Sequence, residues 1–264
     1  MNLLIKLIIL TIIFYKTPLS SNEDIKSSVD NKYRSEENVK RDKYRNPIET
    51  LQFFGLNKKM KVLEITPGRG WYTEILSHYM RNTNNFYVAT YKEPPFAVEI
   101  ITKIQKEFYD YFDINKDKFG DFNTIYIDKN FNFEEKESYF DMILTFRNTH
   151  NFLSHKKSEN ILNSIHKALK KGGILGVVQH RADESLNINF EKGYVKESFL
   201  IDHIQNQGFE LIGKSNINEN PKDLKNYSKG VWSLPPRYAN GEKDKDYYRS
   251  IGESDRMTIK FRKK

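Results

Sequence analysis

No cysteine occurs among the 264 residues. Disulfides, thiolate metal sites and cysteine nucleophiles are excluded together. Glycine and proline are sparse, at 13 and 8, and neither an internal repeat nor a low-complexity tract is present. No apolar run reaches the roughly 20 residues that cross a bilayer as a helix. The longest, Leu3 to Tyr15, is interrupted by Lys6 and Thr11, and Ser20 and Ser21 follow as small residues suited to cleavage. The stretch reads as the hydrophobic region of a signal peptide over residues 1–20, which predicts an exported, periplasmic destination with membrane contact only through this segment. An uncleaved anchor and a buried terminal helix are the alternatives.

Charge of one sign is not gathered anywhere. Lys plus Arg is 43 against 35 Asp plus Glu, a net +8, yet residues 22–50 hold seven acids and seven bases. The surplus is spread along the chain, so no nucleic-acid groove is expected. The 16 Tyr and 18 Phe are dispersed through every segment and mark no site of their own.

Residues 21–45 mix both charges around isolated apolar positions such as Ile25 and Val29. They read as a polar linker or surface helix that contributes no core. The pattern changes at Asn46-Pro47-Ile48-Glu49, where a capping Asn and a first-turn Pro announce a short helix that Gly55 ends. A single domain is expected over 46–264. Within it, short apolar runs at Lys61 to Ile65, Phe86 to Thr90, Thr124 to Ile127, Met142 to Phe146, Ile174 to Gln179, Glu210 to Gly213 and Met257 to Phe261 alternate with amphipathic runs. The latter predict helices over Trp71 to Met80, Phe96 to Tyr111, Lys156 to Leu169 and Lys196 to Gln207. Such alternation is the mark of an α/β fold with a mostly parallel, doubly wound sheet. A loop at 216–256, rich in Asn, Lys and Asp, is long enough to act as a lid or binding loop, or to be a decorated surface hairpin.

The run Val62-Leu63-Glu64-Ile65-Thr66-Pro67-Gly68-Arg69-Gly70-Trp71 leads a buried strand through a Gly-x-Gly turn into a helix. Glycines there admit close approach of a ligand to the backbone, and the helix start offers free N–H groups. Glu64 at the strand's end repels a diphosphate and attracts a cation. The dinucleotide fingerprint also wants a glycine where Thr73 stands, so nicotinamide cofactors are disfavoured.

This turn resembles the first motif of the class I S-adenosylmethionine-dependent methyltransferases, an acid followed by Gly-x-Gly-x-Gly, with Thr66 in place of the first glycine. Leu169-Lys170-Lys171-Gly172-Gly173 is similar to that family's Leu-Lys-Pro-Gly-Gly turn. More narrowly, Leu63 to Gly68, Leu144 to Asn151 and Ile251 to Met257 resemble a group of exported bacterial proteins described only as predicted methyltransferases. The resemblance implies a Rossmann-like, seven-stranded, mostly parallel sheet with an antiparallel last strand, and S-adenosyl-L-methionine as cofactor. It further implies cofactor contacts from Glu64, Thr66, Gly68 and Gly70, from Phe146 at the end of the fourth strand, from Glu93 as the acid nearest the second strand's end, and from Asp128 towards the adenine. Asp128 is equally an ordinary strand-end turn residue.

Ligands of such sheets bind beyond the carboxyl ends of the strands. Arg147, Asn148, His150 and Asn151 follow the fourth strand, and His180 and Arg181 follow the fifth. His150 is the candidate base, with Arg147 and His180 as further catalytic candidates. Arg147 and Arg181 suit an anionic substrate, or salt bridges to sheet-end carboxylates. No ligand spacing supports a metal. The expected activity is methyl transfer to a small-molecule acceptor. The alternative is an exported, non-catalytic small-molecule-binding protein that keeps the fold. Nothing in the sequence fixes an oligomeric state.

Overall fold

All seven apolar runs form strands of one sheet, in the order β3-β2-β1-β4-β5-β7-β6. They are β1 (Val62–Ile65), β2 (Phe86–Tyr91), β3 (Asn123–Ile127), β4 (Phe140–Phe146), β5 (Leu169–His180), β6 (Phe209–Ser215) and β7 (Arg256–Lys263). The structure, a computed structural model, describes residues 20–133, 136–187 and 189–264. The apolar stretch Leu3 to Tyr15 lies outside them. Neighbouring strands are parallel from β3 through β5, and β7 runs antiparallel between β5 and β6. Strand order reverses between β1 and β4, so a cleft opens beyond their carboxyl ends.

Eleven α-helices are described: α1 (Ser20–Val29), α2 (Glu36–Val39), α3 (Asp42–Arg45), α4 (Pro47–Phe54), α5 (Trp71–Met80), α6 (Val98–Ile114), α7 (Lys116–Phe119), α8 (Thr149–Ser154), α9 (Ser158–Ala168), α10 (Glu197–Gln205) and α11 (Lys245–Ile251). Side chains alternate across each strand, which assigns them to two cores. Leu63, Ile65, Ile143 and Val177 pack with Ile161 and Ile165 of α9 and Ile204 of α10. Val62, Met142, Leu144, Phe146 and Val178 pack on the other face with Ile25 of α1, Phe54 of α4 and Ile75 of α5. Gly176 lets α4 sit directly on β5, since a β-carbon there would lie 2.9 Å from the Phe54 ring.

Residues 21–45 depart from the reading as a linker without core. Ile25 and Val29 are one helical turn apart on α1 and are buried in the second core. Averaged composition hides them because the rest of the helix is polar; the i, i+4 spacing is the informative signal. Asn46 precedes α4 as expected, but its side chain makes no cap. It adopts φ 39° and donates instead to the Ile217 carbonyl at 2.7 Å. The 216–256 segment contains α11 and a 3₁₀ turn at Gly230–Ser233, and it buries Tyr227, Leu234, Tyr248 and Ile251 in a small core of its own.

Candidate functional site

The alternation that places Val62 towards α5 also places Glu64 there, 2% exposed. Its Oε2 accepts a hydrogen bond from Thr73 Oγ1 of α5 at 2.7 Å. Among the described residues no cation pairs with it. Burial therefore pushes its pKa up to about 8, against the smaller opposite effect of the Thr73 hydroxyl. Beside it Thr66 holds φ 48°, and its Oγ1 is buried with no partner.

The two glycines of the turn have different reasons to be glycine. Gly68, at φ 63°, has nothing within 4 Å of where a β-carbon would stand. Its face is open to a ligand. Gly70, at φ 81°, is covered by α6, with Phe112 2.5 Å from the same hypothetical atom. Gly70 thus serves the packing of α5 on α6, which the reading of both glycines as ligand-facing missed.

Asn148 holds the mouth of the cleft. Its Nδ2 lies 3.1–3.2 Å from the carbonyls of Ile65, Thr66 and Phe146, tying the end of β1 to the end of β4. Phe146 stacks on Tyr72 at 3.6 Å and 11°, which brings the β4 end against the first turn of α5. Glu64, Thr66, Gly68 and Phe146 are therefore one neighbourhood. β2 ends at Tyr91, and Glu93 lies two residues beyond it, exposed. Asp128 is also exposed, and its Oδ1 accepts from the backbone of Asn130 at 2.8 Å and Asn132 at 2.9 Å. That is the strand-end turn role.

His150 and His180 come together, with ring centroids 5.8 Å apart. Trp232 from the 216–256 segment lies 5.7 Å from the first ring and 6.5 Å from the second. The long segment thus does reach over the strand ends, through Trp232, while Tyr227 packs internally. Gln179 Nε2 is 3.2 Å from His150 Nδ1 and donates to the Gly193 carbonyl at 2.8 Å. The amide nitrogen so fixed has only hydrogens to offer Nδ1. The proton of the neutral imidazole then sits on Nε2, which is buried and unpartnered. In this tautomer His150 presents a donor, where the sequence suggested a base. Desolvation pushes its pKa down to about 4, and the Arg147 charge acts in the same direction. His180 Nδ1 meets Ser254 Oγ at 2.5 Å, and burial, His150, Arg147 and Arg256 hold it well below the ordinary value. Both rings are neutral at pH 7.

The two arginines of the strand ends differ. Arg181 pairs with both oxygens of Asp255, at 3.1 and 3.0 Å, and with Glu197 and Glu219. Arg147, at φ 65°, makes no side-chain hydrogen bond or ion pair among the described residues. Gln179 and Ser254 enter the site only in three dimensions, and Glu253 lies in the Ile251 to Met257 run that the sequence had singled out.

No family model matches the chain, and no curated protein matches its sequence. Solved structures share its fold. One is a SAM-dependent methyltransferase from Aquifex aeolicus, 15% identical, with a TM-score of 0.55 over 75% of this chain and 93% of the other. A second is the [4+2]-cyclase SpnF, 13% identical, with a TM-score of 0.59 over 91% and 93% of the two chains. A third is the glycopeptide N-methyltransferase MtfA, 12% identical, with a TM-score of 0.54 over 82% and 94%. At these identities the likeness is one of fold, and the cyclase shows that the fold hosts more than one chemistry.

Proposed function

We propose that the protein is an S-adenosylmethionine-dependent methyltransferase acting on a small-molecule acceptor. The observation that carries this reading is Glu64: a buried carboxylate at the exit of a central parallel strand, without a cation, beside the open face of Gly68. A buried acid held in this way is suited to a ligand that brings its own positive charge. Glu64 and the unpartnered Thr66 hydroxyl would hold the amino-acid end of the cofactor, and Gly68 would let the backbone approach it. S-adenosylmethionine supplies a methyl group on a sulfonium, reactive enough for direct transfer to an aligned nucleophile. The same fold in MtfA binds S-adenosylmethionine, which supports the assignment.

On this reading the acceptor lies over the ends of β4 and β5. His150 donates to it from Nε2, Trp232 covers it, and both neutral histidines exclude water from the transfer. Positioning then provides most of the acceleration, and an acceptor nucleophile that needs no strong base is expected. We infer export of this activity from the apolar stretch Leu3 to Tyr15, read as a leader. Isothermal calorimetry with S-adenosylmethionine and S-adenosylhomocysteine tests the proposal: binding of both is expected, and silence from both would overturn it. The lack of an acid at the end of β2 favours a second reading, a binding protein that holds another small cation. Mass spectrometry of ligands extracted from the native protein separates the two.

A further inference from the structure

We propose that Arg41, Arg45, Arg147 and Arg256 form a receptor for an anionic group, a carboxylate or phosphate, carried by the methyl acceptor. The acceptor's place rests on the methyltransferase reading. Glu253 is the one acid that pairs with these arginines among the described residues. Its Oε1 accepts from Arg41 Nε at 2.6 Å, and its Oε2 from Arg45 Nε and Arg256 Nη1, both at 3.0 Å. Arg256 Nη2 donates to the Tyr44 carbonyl at 2.5 Å. Three guanidiniums thus share one carboxylate, and Arg147 adds a fourth charge beside them.

The donors left over have a location. Arg45 Nη2 and Arg256 Nε are buried and unpartnered, on side chains 2% and 3% exposed. Arg147 contributes a whole guanidinium without a partner among the described residues. Arg41 and Arg147 are only partly buried, so these two are the members of the cluster that solvent reaches. Elsewhere the chain balances its buried arginines. Arg34 has Asp42 and Glu74, and Arg181 has Asp255, Glu197 and Glu219. An arginine cannot shed its proton to escape burial as a lysine can, so a deficit of acids is relieved by an anion from outside. Burial and the neighbouring Arg41 and Arg256 press the Arg147 pKa down to about 10, while Glu253 opposes them. Arg256 pairs with His180 across β5 and β7, and Ser254, next to Glu253, meets the His180 ring, which puts the cluster beside the histidine pair.

The test uses the full chain at constant ionic strength, with inorganic phosphate and acetate as probes, followed by calorimetry and by Tm, with and without saturating S-adenosylhomocysteine. Either probe is expected to bind, to raise Tm, and to bind alike in both conditions. Arg147→Gln should weaken binding at least tenfold, whereas Arg262→Gln, at the exposed pair with Glu210, should not. Arg147→Gln should also raise Tm by a few degrees without any anion, since it removes repulsion and no hydrogen bond; a structural ion pair would give a fall. Absence of anion binding, or equal binding by Arg147→Gln, overturns the receptor. Loss of anion binding on adding S-adenosylhomocysteine overturns the acceptor assignment, because the cofactor's own carboxylate would then fill the place. Failure of S-adenosylhomocysteine to bind sinks the methyltransferase reading alone, and the phosphate arm still reads the cluster.

Discussion

Gln179 dictates the tautomer of His150, because its amide nitrogen is committed as a donor to the Gly193 carbonyl and stands 3.2 Å from Nδ1. The imidazole should therefore titrate near 4 in NMR; a midpoint near 6.5 would contradict this geometry. Gln179→Glu, which offers an acceptor instead, should move the midpoint up by about one to three units. A histidine with a depressed folded pKa stabilises the native state above its unfolded pKa. That contribution is lost as pH falls from about 6.5 towards 4, at up to about 1.4 kcal/mol per pH unit.

Glu64 gives the opposite slope. Its folded pKa of about 8 lies above the ordinary 4.5, so between these values the native state holds a proton that the unfolded chain does not. Stability falls as pH rises through this window, by up to about 1.4 kcal/mol per unit. Glu64→Gln should flatten the dependence and make the protein more resistant to urea at pH 8. It should also cost S-adenosylmethionine affinity at least tenfold. An unchanged pH profile in urea melts would refute the burial of an unpaired acid.

Gly68 and Gly70 should respond differently to the same change. Gly68→Ala meets only backbone strain, about 1 kcal/mol, and its main effect should be on cofactor affinity. Gly70→Ala drives a methyl group into Phe112, and overpacking adds about 1–3 kcal/mol to that strain. Denaturant titration together with calorimetry separates them.

Ile25→Ala should destabilise the protein by about 2–4 kcal/mol, as removal of a buried isoleucine side chain does. A loss under 0.5 kcal/mol in denaturant melts would show that α1 does not belong to the core.

The fold was readable because strand and helix periods differ and each apolar run keeps one of them from end to end. Glu64 and the open face of Gly68 were readable for the same reason: they sit where a strand must end and a helix begin. Gly70 was not separable from Gly68, since Phe112 arrives from a helix some 40 residues on. The donor state of His150 depends on Gln179 and Gly193, which local sequence does not join to it. The arginine cluster collects residues more than 200 positions apart. Only the sheet order, with β7 beside β5, brings Arg256 back to Arg45.

β7 lies between two strands that precede it in the chain, and its first residue is Arg256. Until β7 is synthesised, β5 keeps one unpaired edge and β6 has no partner strand in the sheet. The seam closes only on arrival of the final strand, and that same event delivers the last guanidinium. Assembly of the charge-rich mouth is thereby made a late, all-or-nothing step of biosynthesis.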